Sequence, residues 1–150
     1  MIERYRDFTV LITTINRSIK KIKTEEMSEF NLRSPHVTCL YYLQKTGGAT
    51  AKEICEMGQE DKASISRSIE YLEENNYIVC NSTQKKKYNT LLTLTQKGTE
   101  IAQKVSDKID SILNLAGGEL DDEKRNIMYE CLNIINNNLD KLCKNYEGEN

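Results

Sequence analysis

Two narrow apolar stripes, one near each end of the chain, constrain its fold most strongly. At the amino end, apolar side chains recur at steps of 3, 4, 3, 4 and 3 residues, at Tyr5, Phe8, Ile12, Ile15, Ile19 and Ile22. This spacing is typical of helices that pair with other helices. Near the carboxyl end, a second helical stripe comprises Ile127, Cys131, Ile134, Ile135, Leu139 and Leu142. We therefore expect two long helices whose apolar faces need a partner.

The composition indicates that this partner is a second copy of the chain. The 150 residues suffice for one domain, but only 38% are hydrophobic and 29% are charged. A chain this lean in apolar residues completes its core by pairing. We expect a homodimer whose interface includes Tyr5, Phe8, Ile12, Ile15, Ile127, Cys131, Ile135, Leu139 and Leu142.

Two short helices are predicted at the start of the middle third. Ser34 is expected to cap a helix over residues 35–45, which begins with proline and ends at Gly47-Gly48. The sequence from Thr50 to Glu53 is a capping box, in which each side chain accepts a free backbone N–H near the other residue. It predicts a further short helix that ends at Gly58.

A fourth helix is predicted over residues 62–75, with Asp61 as its cap. Ile65, Ile69 and Leu72 recur at the spacing of one helical face, which we expect to be buried. Arg67 then projects from the opposite face. The helix ends at Asn75-Asn76, because asparagine tolerates the left-handed conformation at a helix end.

A hairpin and two long helices complete the pattern. Residues 77–80 and 91–95 read as strands, and the connection between them carries Lys85, Lys86 and Lys87, which predicts a cationic tip. A fifth helix is expected over residues 96–115, and a sixth begins after an acidic start at residues 121–123. We divide the chain into a dimerisation helix (1–30), a middle region (31–98) and carboxyl-terminal helices (99–150) that complete the dimerisation region.

The middle third has the organisation of a winged helix-turn-helix. A short helix, a tight turn, a second helix and a cationic hairpin suit DNA, because one helix fits the major groove while the hairpin reaches neighbouring phosphates. Although the net charge is −2, residues 30–98 carry nine basic and seven acidic side chains, a local balance of +2. The predicted fold is mainly α, with a small β component.

The sequence resembles the MarR (multiple-antibiotic-resistance regulator) family of bacterial transcription factors over nearly its whole length. Three stretches carry the resemblance: Leu32-Arg33-Ser34-Pro35-His36, Asp61 to Ile69 with Leu72-Glu73 and Tyr77-Ile78, and Leu92 to Gly98. The resemblance implies a homodimer that binds a palindromic operator. It also implies release from DNA when a small phenolic or other lipophilic acid occupies a crevice beside the DNA-binding regions of the dimer. His36 and Tyr41 are the candidate ligand-binding residues for this crevice.

The candidate DNA-binding residues follow from this organisation. Arg67, Ser64 and Ser66 are expected on base edges and phosphates, and Lys62 on the backbone. Further candidates for the DNA surface are Ser34, Thr50, Lys52, Lys85, Lys86 and Lys87.

Three positions depart from the family pattern. In the family, the hairpin, called the wing, carries an aspartate followed closely by an arginine. Here Lys87 takes the arginine position and the aspartate is missing. Because lysine is a flexible point charge, we expect weaker minor-groove discrimination and a larger electrostatic share of binding. Asn76 replaces a glycine, and no cysteine precedes Cys39, although redox sensors of the family often hold one in the first helix.

Two other function classes remain open, a thiol-based redox regulator on the same scaffold and a helical interaction adaptor that does not bind DNA. His36 and Cys39 lie three residues apart, but no third residue orients them, so no enzyme is predicted. The five cysteines read as small hydrophobic residues, and with one histidine they offer no zinc ligand set. We expect no cofactor, no metal and no membrane segment, and a cytoplasmic location.

Overall fold

The structure, a computed structural model, describes residues 2–81 and 89–148. Helix α1 extends through Ile2–Arg4, a π-helical stretch Tyr5–Val10 and Leu11–Met27, and a 3-10 turn Ser28–Phe30 follows. The remaining elements are α2 (Ser34–Thr46), α3 (Ala51–Gly58), α4 (Lys62–Glu74), β1 (Ile78–Cys80), β2 (Leu92–Leu94), α5 (Gln96–Ala116) and α6 (Asp122–Glu147). The predicted mainly α architecture with a small two-stranded ladder is confirmed. No helix within these described ranges is long and apolar enough to cross a membrane.

The chain divides into two compact units, Met1–Ile109 and Asp110–Asn150. Among the described residues, the buried apolar core lies in the first unit, where α2, α3 and α4 pack with the ladder and the start of α5. Its fully buried side chains include Met27, Leu40, Leu43, Ile54, Ile65, Leu72, Ile78, Leu92 and Val105. The second unit contains the end of α5 and all of α6.

Side-chain caps fix where α3 and α4 begin. The Thr50 hydroxyl accepts the Glu53 N–H at 3.2 Å, and the Glu53 carboxylate accepts the Thr50 N–H at 2.8 Å, which confirms the predicted capping box. The Asp61 carboxylate likewise accepts the Ser64 N–H at 2.8 Å. At the end of α2, Gly47 adopts the left-handed conformation with φ 74°, as predicted.

One predicted helix cap is wrong, and one predicted helix end is confirmed. Ser34 is the first residue of α2 rather than its cap, because the extended backbone lies at Arg33 and the acceptor for the Arg33 N–H is His36 Nδ1, at 3.0 Å. Gly58 is the last residue of α3, as predicted, but the left-handed conformation at this helix end belongs to Gln59, with φ 52°. Gly58 is instead needed for packing, because a Cβ there would lie 2.4 Å from Thr38 Cγ2.

The ladder pairs β1 and β2 in antiparallel register, with Ile78 opposite Leu94 and Cys80 opposite Leu92. Leu92 also exchanges two backbone hydrogen bonds with Ala49, which ties the segment before α3 to the ladder. Asn76 has φ 60°, which confirms the predicted left-handed residue at the end of α4. The predicted cationic tip at Lys85, Lys86 and Lys87 lies outside the described residues.

Two contacts hold α5 against the rest of the first unit. Lys108 forms salt bridges with Glu26, at 3.4 Å, and with Glu29, and it lies over the Phe30 ring. At the start of α5, a Cβ on Gly98 would lie 1.8 Å from the Tyr77 carbonyl oxygen. Only glycine therefore permits this approach of α5 to the entrance of β1.

Replacing Gly98 with Ala should lower the free energy of unfolding by about 3 kcal/mol or more, because backbone atoms must move to admit the methyl group. Urea denaturation followed by circular dichroism measures the change. Gly148→Ala is the matched control, since its Cβ would meet no atom closer than 3.7 Å. Equal stabilities of the two variants would contradict the close packing of α5 on Tyr77.

Candidate nucleic-acid interface

The rotation of α4 about its axis determines which residues it presents to solvent. Ile65, Ile69 and Leu72 are buried in the core, as the sequence pattern predicts. Lys62, Ser66 and Arg67 are exposed and Ser64 is half-buried. The helix therefore presents a polar face with two cations and two hydroxyl groups, which can donate hydrogen bonds to base edges and phosphates.

Tyr71 connects α4 to the segment between α1 and α2. Its hydroxyl donates to the Asn31 carbonyl oxygen at 2.8 Å. Its ring stacks on the His36 imidazole with centroids 4.3 Å apart and planes 12° from parallel. Because His36 also accepts the Arg33 N–H, a continuous set of contacts links the exposed helix to the start of α2.

The Lys97 ammonium group lies at the carboxyl end of α4. Lys97 donates to the Asn75 carbonyl oxygen at 2.9 Å, and its ammonium group lies 4.7 Å from the centre of the Tyr77 ring. The Asn75 side chain donates to the Tyr71 carbonyl oxygen at 2.8 Å. A cation at this position interacts favourably with the negative end of the helix dipole.

Within the described ranges, the other predicted DNA-binding residues occupy two separate places. Thr50 is half-buried with its hydroxyl in the capping box, and Lys52 is exposed on the first turn of α3. Ser34 is half-buried at the start of α2, where its carbonyl oxygen accepts the Thr38 hydroxyl. The positions of Lys85, Lys86 and Lys87 are outside the described part of the chain.

A cleft of about 780 Å³ lies between the end of α1, the start of α2 and the exposed helix α4. Its lining residues include Arg33 and Arg67, and none of them is acidic. Ser64, Ser68 and Tyr71 contribute from α4, so this helix forms both a wall of the cleft and the exposed polar face. The volume is within the range of small-molecule sites.

Of the two residues predicted to bind a ligand, only His36 lines this cleft. Tyr41 lies outside the lining, with its ring edge-on to Tyr42 at 5.2 Å. Sequence reasoning did not place Arg33 or Tyr71 in a ligand site. Arg33 belongs to the same short segment as His36, but α4 meets this segment only in the tertiary structure.

The environment of His36 favours its neutral form. Partial burial, together with the nearby Arg33 guanidinium, lowers the pKa of His36. Its Nδ1 accepts a hydrogen bond, so the proton of the neutral ring is on Nε2. Protonation of Nδ1 would abolish the hydrogen bond from the Arg33 N–H and add a positive charge near the Arg33 guanidinium.

The cysteines differ in their surroundings. Burial, reinforced by Cys55 and Glu60, raises the pKa of the Cys39 thiol to about 12. Its thiol is therefore protonated at neutral pH and is a weak nucleophile. Cys131 and Cys143 are exposed, and the apolar face of α6 is uncovered in its own unit.

Both apolar stripes are exposed to solvent. On α1, the exposed fraction is 66% for Tyr5 and between 40% and 47% for the other five stripe residues. In the apolar stripe of α6, Ile135 is half-buried. The other stripe residues are exposed: Ile127, Cys131, Ile134, Leu139 and Leu142. Exposed apolar stripes of this extent are typical of surfaces that bind another protein chain.

A helix-turn-helix with an outward polar helix, followed by a two-stranded ladder, defines a winged-helix protein. The model of the winged helix DNA-binding domain family matches residues 36–113, just over half of the chain. The chain belongs to this family. The match spans α2 to most of α5, which includes both the exposed helix and the ladder.

Relatives and solved structures agree with this assignment. The chain is 22% identical over 126 residues, 84% of each chain, to the HTH-type transcriptional regulator SarZ of Staphylococcus epidermidis. A MarR/EmrR family transcriptional regulator from Acinetobacter sp. ADP1 superposes with TM-score 0.81 and 20% identity, over 92% of this chain and 98% of that one. A putative MarR family regulator from Listeria monocytogenes, complexed with 26mer DNA, gives TM-score 0.79 and 22% identity, over 88% of both chains. The fold that the resemblance to the MarR family implied is confirmed.

The lowered pKa of His36 predicts how stability depends on pH. Above the ordinary histidine pKa of about 6.5, both folded and unfolded states are neutral at this site. As the pH falls below that value, the unfolded chain binds a proton first, so the free energy of unfolding decreases until the folded state also titrates. Urea denaturation at a series of pH values measures this loss.

His36→Asn is the matched variant, because the Asn side chain can accept the Arg33 N–H but does not titrate. We expect the stability difference between the native protein and this variant to be constant above about pH 7.5 and to shrink below about pH 6.5. Parallel stability curves over the whole range would contradict a neutral His36 in the folded state.

Proposed function

We propose that this protein is a transcriptional regulator that binds double-stranded DNA as a homodimer in the cytoplasm and acts as a ligand-responsive repressor. The observation that carries the proposal is the outward face of α4, with Ser66 and Arg67 exposed and Ser64 half-buried. Membership of the winged helix DNA-binding domain family supports it. So does the Listeria structure, in which a protein of similar fold is complexed with DNA.

In this proposal α4 enters the major groove. Arg67 donates two hydrogen bonds to a guanine edge, the commonest specific contact of an arginine with DNA. Ser64 and Ser66 contact bases or phosphates, and Lys62 contacts the backbone near the start of the helix. The Tyr71 and Lys97 contacts at the other end hold α4 in place, so its register on DNA is fixed by the fold.

Further phosphate contacts complete the interface. Thr50 and Lys52 contact the backbone from the start of α3, and Ser34 contacts it separately from the start of α2. Lys85, Lys86 and Lys87, for which the sequence predicts a cationic hairpin tip, would contact neighbouring phosphates. Lysine at this position supplies charge rather than base recognition, so it adds affinity for any sequence.

The homodimer places two copies of α4 on one duplex. The exposed stripes of α1 and α6 supply the apolar surface that pairing would bury. A two-fold dimer recognises a pseudo-palindromic site, with the two reading helices about 34 Å apart, one turn of the DNA. This arrangement explains why the chain leaves two long stripes uncovered.

A small lipophilic or phenolic effector in the cleft would make the regulator responsive. The cleft shares α4 with the DNA surface and has His36 in its lining, so an occupant contacts the reading helix directly. An effector that prefers a conformation unsuited to DNA shifts the population away from the bound state. The effect on transcription is then relief of repression.

Selection of bound sequences from random duplexes, followed by a salt titration, tests the proposed function. Enrichment of an inverted repeat and a steep loss of affinity with salt are expected. An interaction adaptor would bind no duplex at any salt concentration. A thiol-based sensor would lose DNA affinity with peroxide in the native protein but not in Cys39→Ser, an outcome that would replace the effector with an oxidant.

Replacement of Arg67 with Ala should weaken binding to the selected operator by about 1 to 3 kcal/mol and blur its sequence preference. Lys86→Ala is the comparison, because loss of a phosphate contact should weaken all sequences alike and reduce the salt slope. Fluorescence anisotropy on operator and random duplexes measures both effects. Equal losses on the two duplexes for Arg67→Ala would contradict the assigned roles.

Replacement of Ile15 with Asp should raise the dimer dissociation constant at least about 100-fold, because each dimer would bury two unpaired carboxylates. Sedimentation equilibrium gives the constant. Arg17→Asp is the control, since Arg17 lies on the opposite face of the same helix and changes only surface charge. A native protein that sediments as a monomer, or equal effects of both variants, would exclude this dimer.

A further inference from the structure

We propose that a basic surface on α1 extends the proposed DNA interface by contacting the sugar-phosphate backbone next to the bases that α4 reads. This surface, the basic track, comprises Arg17, Lys20 and Lys21 on α1, Arg33 before α2 and Arg67 on α4. The inference rests on the proposed function, because it assumes that α4 enters the major groove. It adds a second DNA-binding helix, to which the sequence pattern assigned dimerisation alone.

The middle of α1 carries a local excess of positive charge. Residues 8–24 contain Arg17, Lys20, Lys21 and Lys23 but no aspartate or glutamate. The whole chain, in contrast, has a net charge of −2. A cluster of cations on an otherwise acidic protein is typical of a surface that binds a polyanion.

The basic residues lie on one face of α1, opposite its apolar stripe. This face continues towards the end of the helix, at spacings of three or four residues, through Arg17, Lys20, Lys21, Thr24 and Ser28, all of which are exposed. The Thr24 hydroxyl donates to the Lys20 carbonyl oxygen at 3.0 Å, which joins two successive turns of the face. Pairing of two chains through the apolar stripe would therefore leave the basic face accessible.

This face of α1 leads into the cleft beside α4. Thr24 and Ser28 line the cleft together with Arg33 and Arg67, and none of the lining residues is acidic. The first compact unit contains all of these residues, so one packed structure positions them. The cations of α1 are thus continuous with the side chain that we propose reads a base.

The acidic side chains that follow the basic segment do not neutralise it. Glu26 and Glu29 form salt bridges with Lys108 of α5. Glu25 lies one turn after Lys21, but no ion pair joins the two side chains. Within the part of the chain that the structure describes, no residue of the basic track forms an ion pair, so its charges can attract an external anion.

Duplex DNA is the polyanion that suits this placement. It carries about one negative charge per 1.7 Å of its axis, so phosphates flank every base that Arg67 could contact. The stretch of α1 from Arg17 to Ser28 is about 16 Å long, the axial length of about five base pairs. Basic side chains on such a stretch can contact several phosphates, which adds affinity without sequence preference.

The double variant Lys20→Gln/Lys21→Gln tests the basic track in the intact chain. Fluorescence anisotropy at a series of salt concentrations measures affinity for the selected operator and for a random duplex. Because the variant dimer lacks four cations, the slope of log affinity against log salt should become less steep by about 2 to 3.6 on both duplexes. Between 50 and 200 mM salt, the native protein should lose about 16- to 150-fold more affinity than the variant.

Two matched variants control for net charge and for side-chain size. Lys104→Gln/Lys141→Gln removes the same charge from exposed positions on α5 and α6 outside the basic track, and it should keep the native salt slope. Lys20→Arg/Lys21→Arg retains the cations and should also keep that slope. Circular dichroism and sedimentation verify that each variant folds and associates as the native protein does. An equal change of slope in both glutamine variants would overturn the proposal.

Ethylation interference locates the contacts on the operator, because an ethyl group removes the charge of one phosphate. The native protein should be inhibited by ethylation at a set of phosphates at which Lys20→Gln/Lys21→Gln is insensitive. Arg67→Ala should remain sensitive at these phosphates, since α1 contacts them and α4 does not. Identical interference patterns for the native protein and Lys20→Gln/Lys21→Gln would contradict a backbone contact by α1.

The outcomes separate this proposal from the proposed function. If the native protein selects an inverted repeat but its salt slope does not depend on Lys20 and Lys21, the basic track is overturned and the proposed function stands. A basic track that serves an acidic protein or an anionic membrane surface would give this same result. A native protein that binds no duplex would overturn both proposals.

Discussion

Burial of one face of α4 is the constraint on which the rest of the site depends. Ile65, Ile69 and Leu72 belong to the core of the first unit, and their burial sets the rotation of the helix. Because successive residues of a helix point about 100° apart, this rotation directs Arg67 away from the core. The exposed polar face is thus a consequence of apolar packing, and no separate interaction is needed to present it.

Contacts at both ends of α4 hold the helix in this position. Asp61 caps the first turn of α4, Lys97 closes the last, and Tyr71 joins the helix to Asn31 and His36. Of these residues, Tyr71, Asn31 and His36 also line the cleft beside α4. Arg67 is exposed on α4 and also lines this cleft, so the proposed DNA surface and the cleft share one side chain.

The end helices follow a different principle. Their apolar side chains recur at the period of paired helices, yet the structure leaves these stripes exposed within each unit. Exposed apolar stripes lower the solubility of a monomer and favour association. The exposed stripes of α1 and α6 are therefore the reason to propose a symmetric dimer. A symmetric dimer in turn implies a symmetric DNA site.

The sequence by itself determined the helices, most caps and the outward direction of Arg67, because helical period and capping chemistry are local properties that a short segment contains in full. It also predicted the cap of α4 at Asp61, but it placed the cap of α2 at Ser34, since the acceptor of the Arg33 N–H is a ring nitrogen that no propensity rule anticipates. Tertiary structure alone decided the need for glycine at Gly58 and Gly98 and the cleft between Arg33 and Arg67. These features join residues from distant parts of the chain, and a close approach between two segments leaves no periodic signal in either of them.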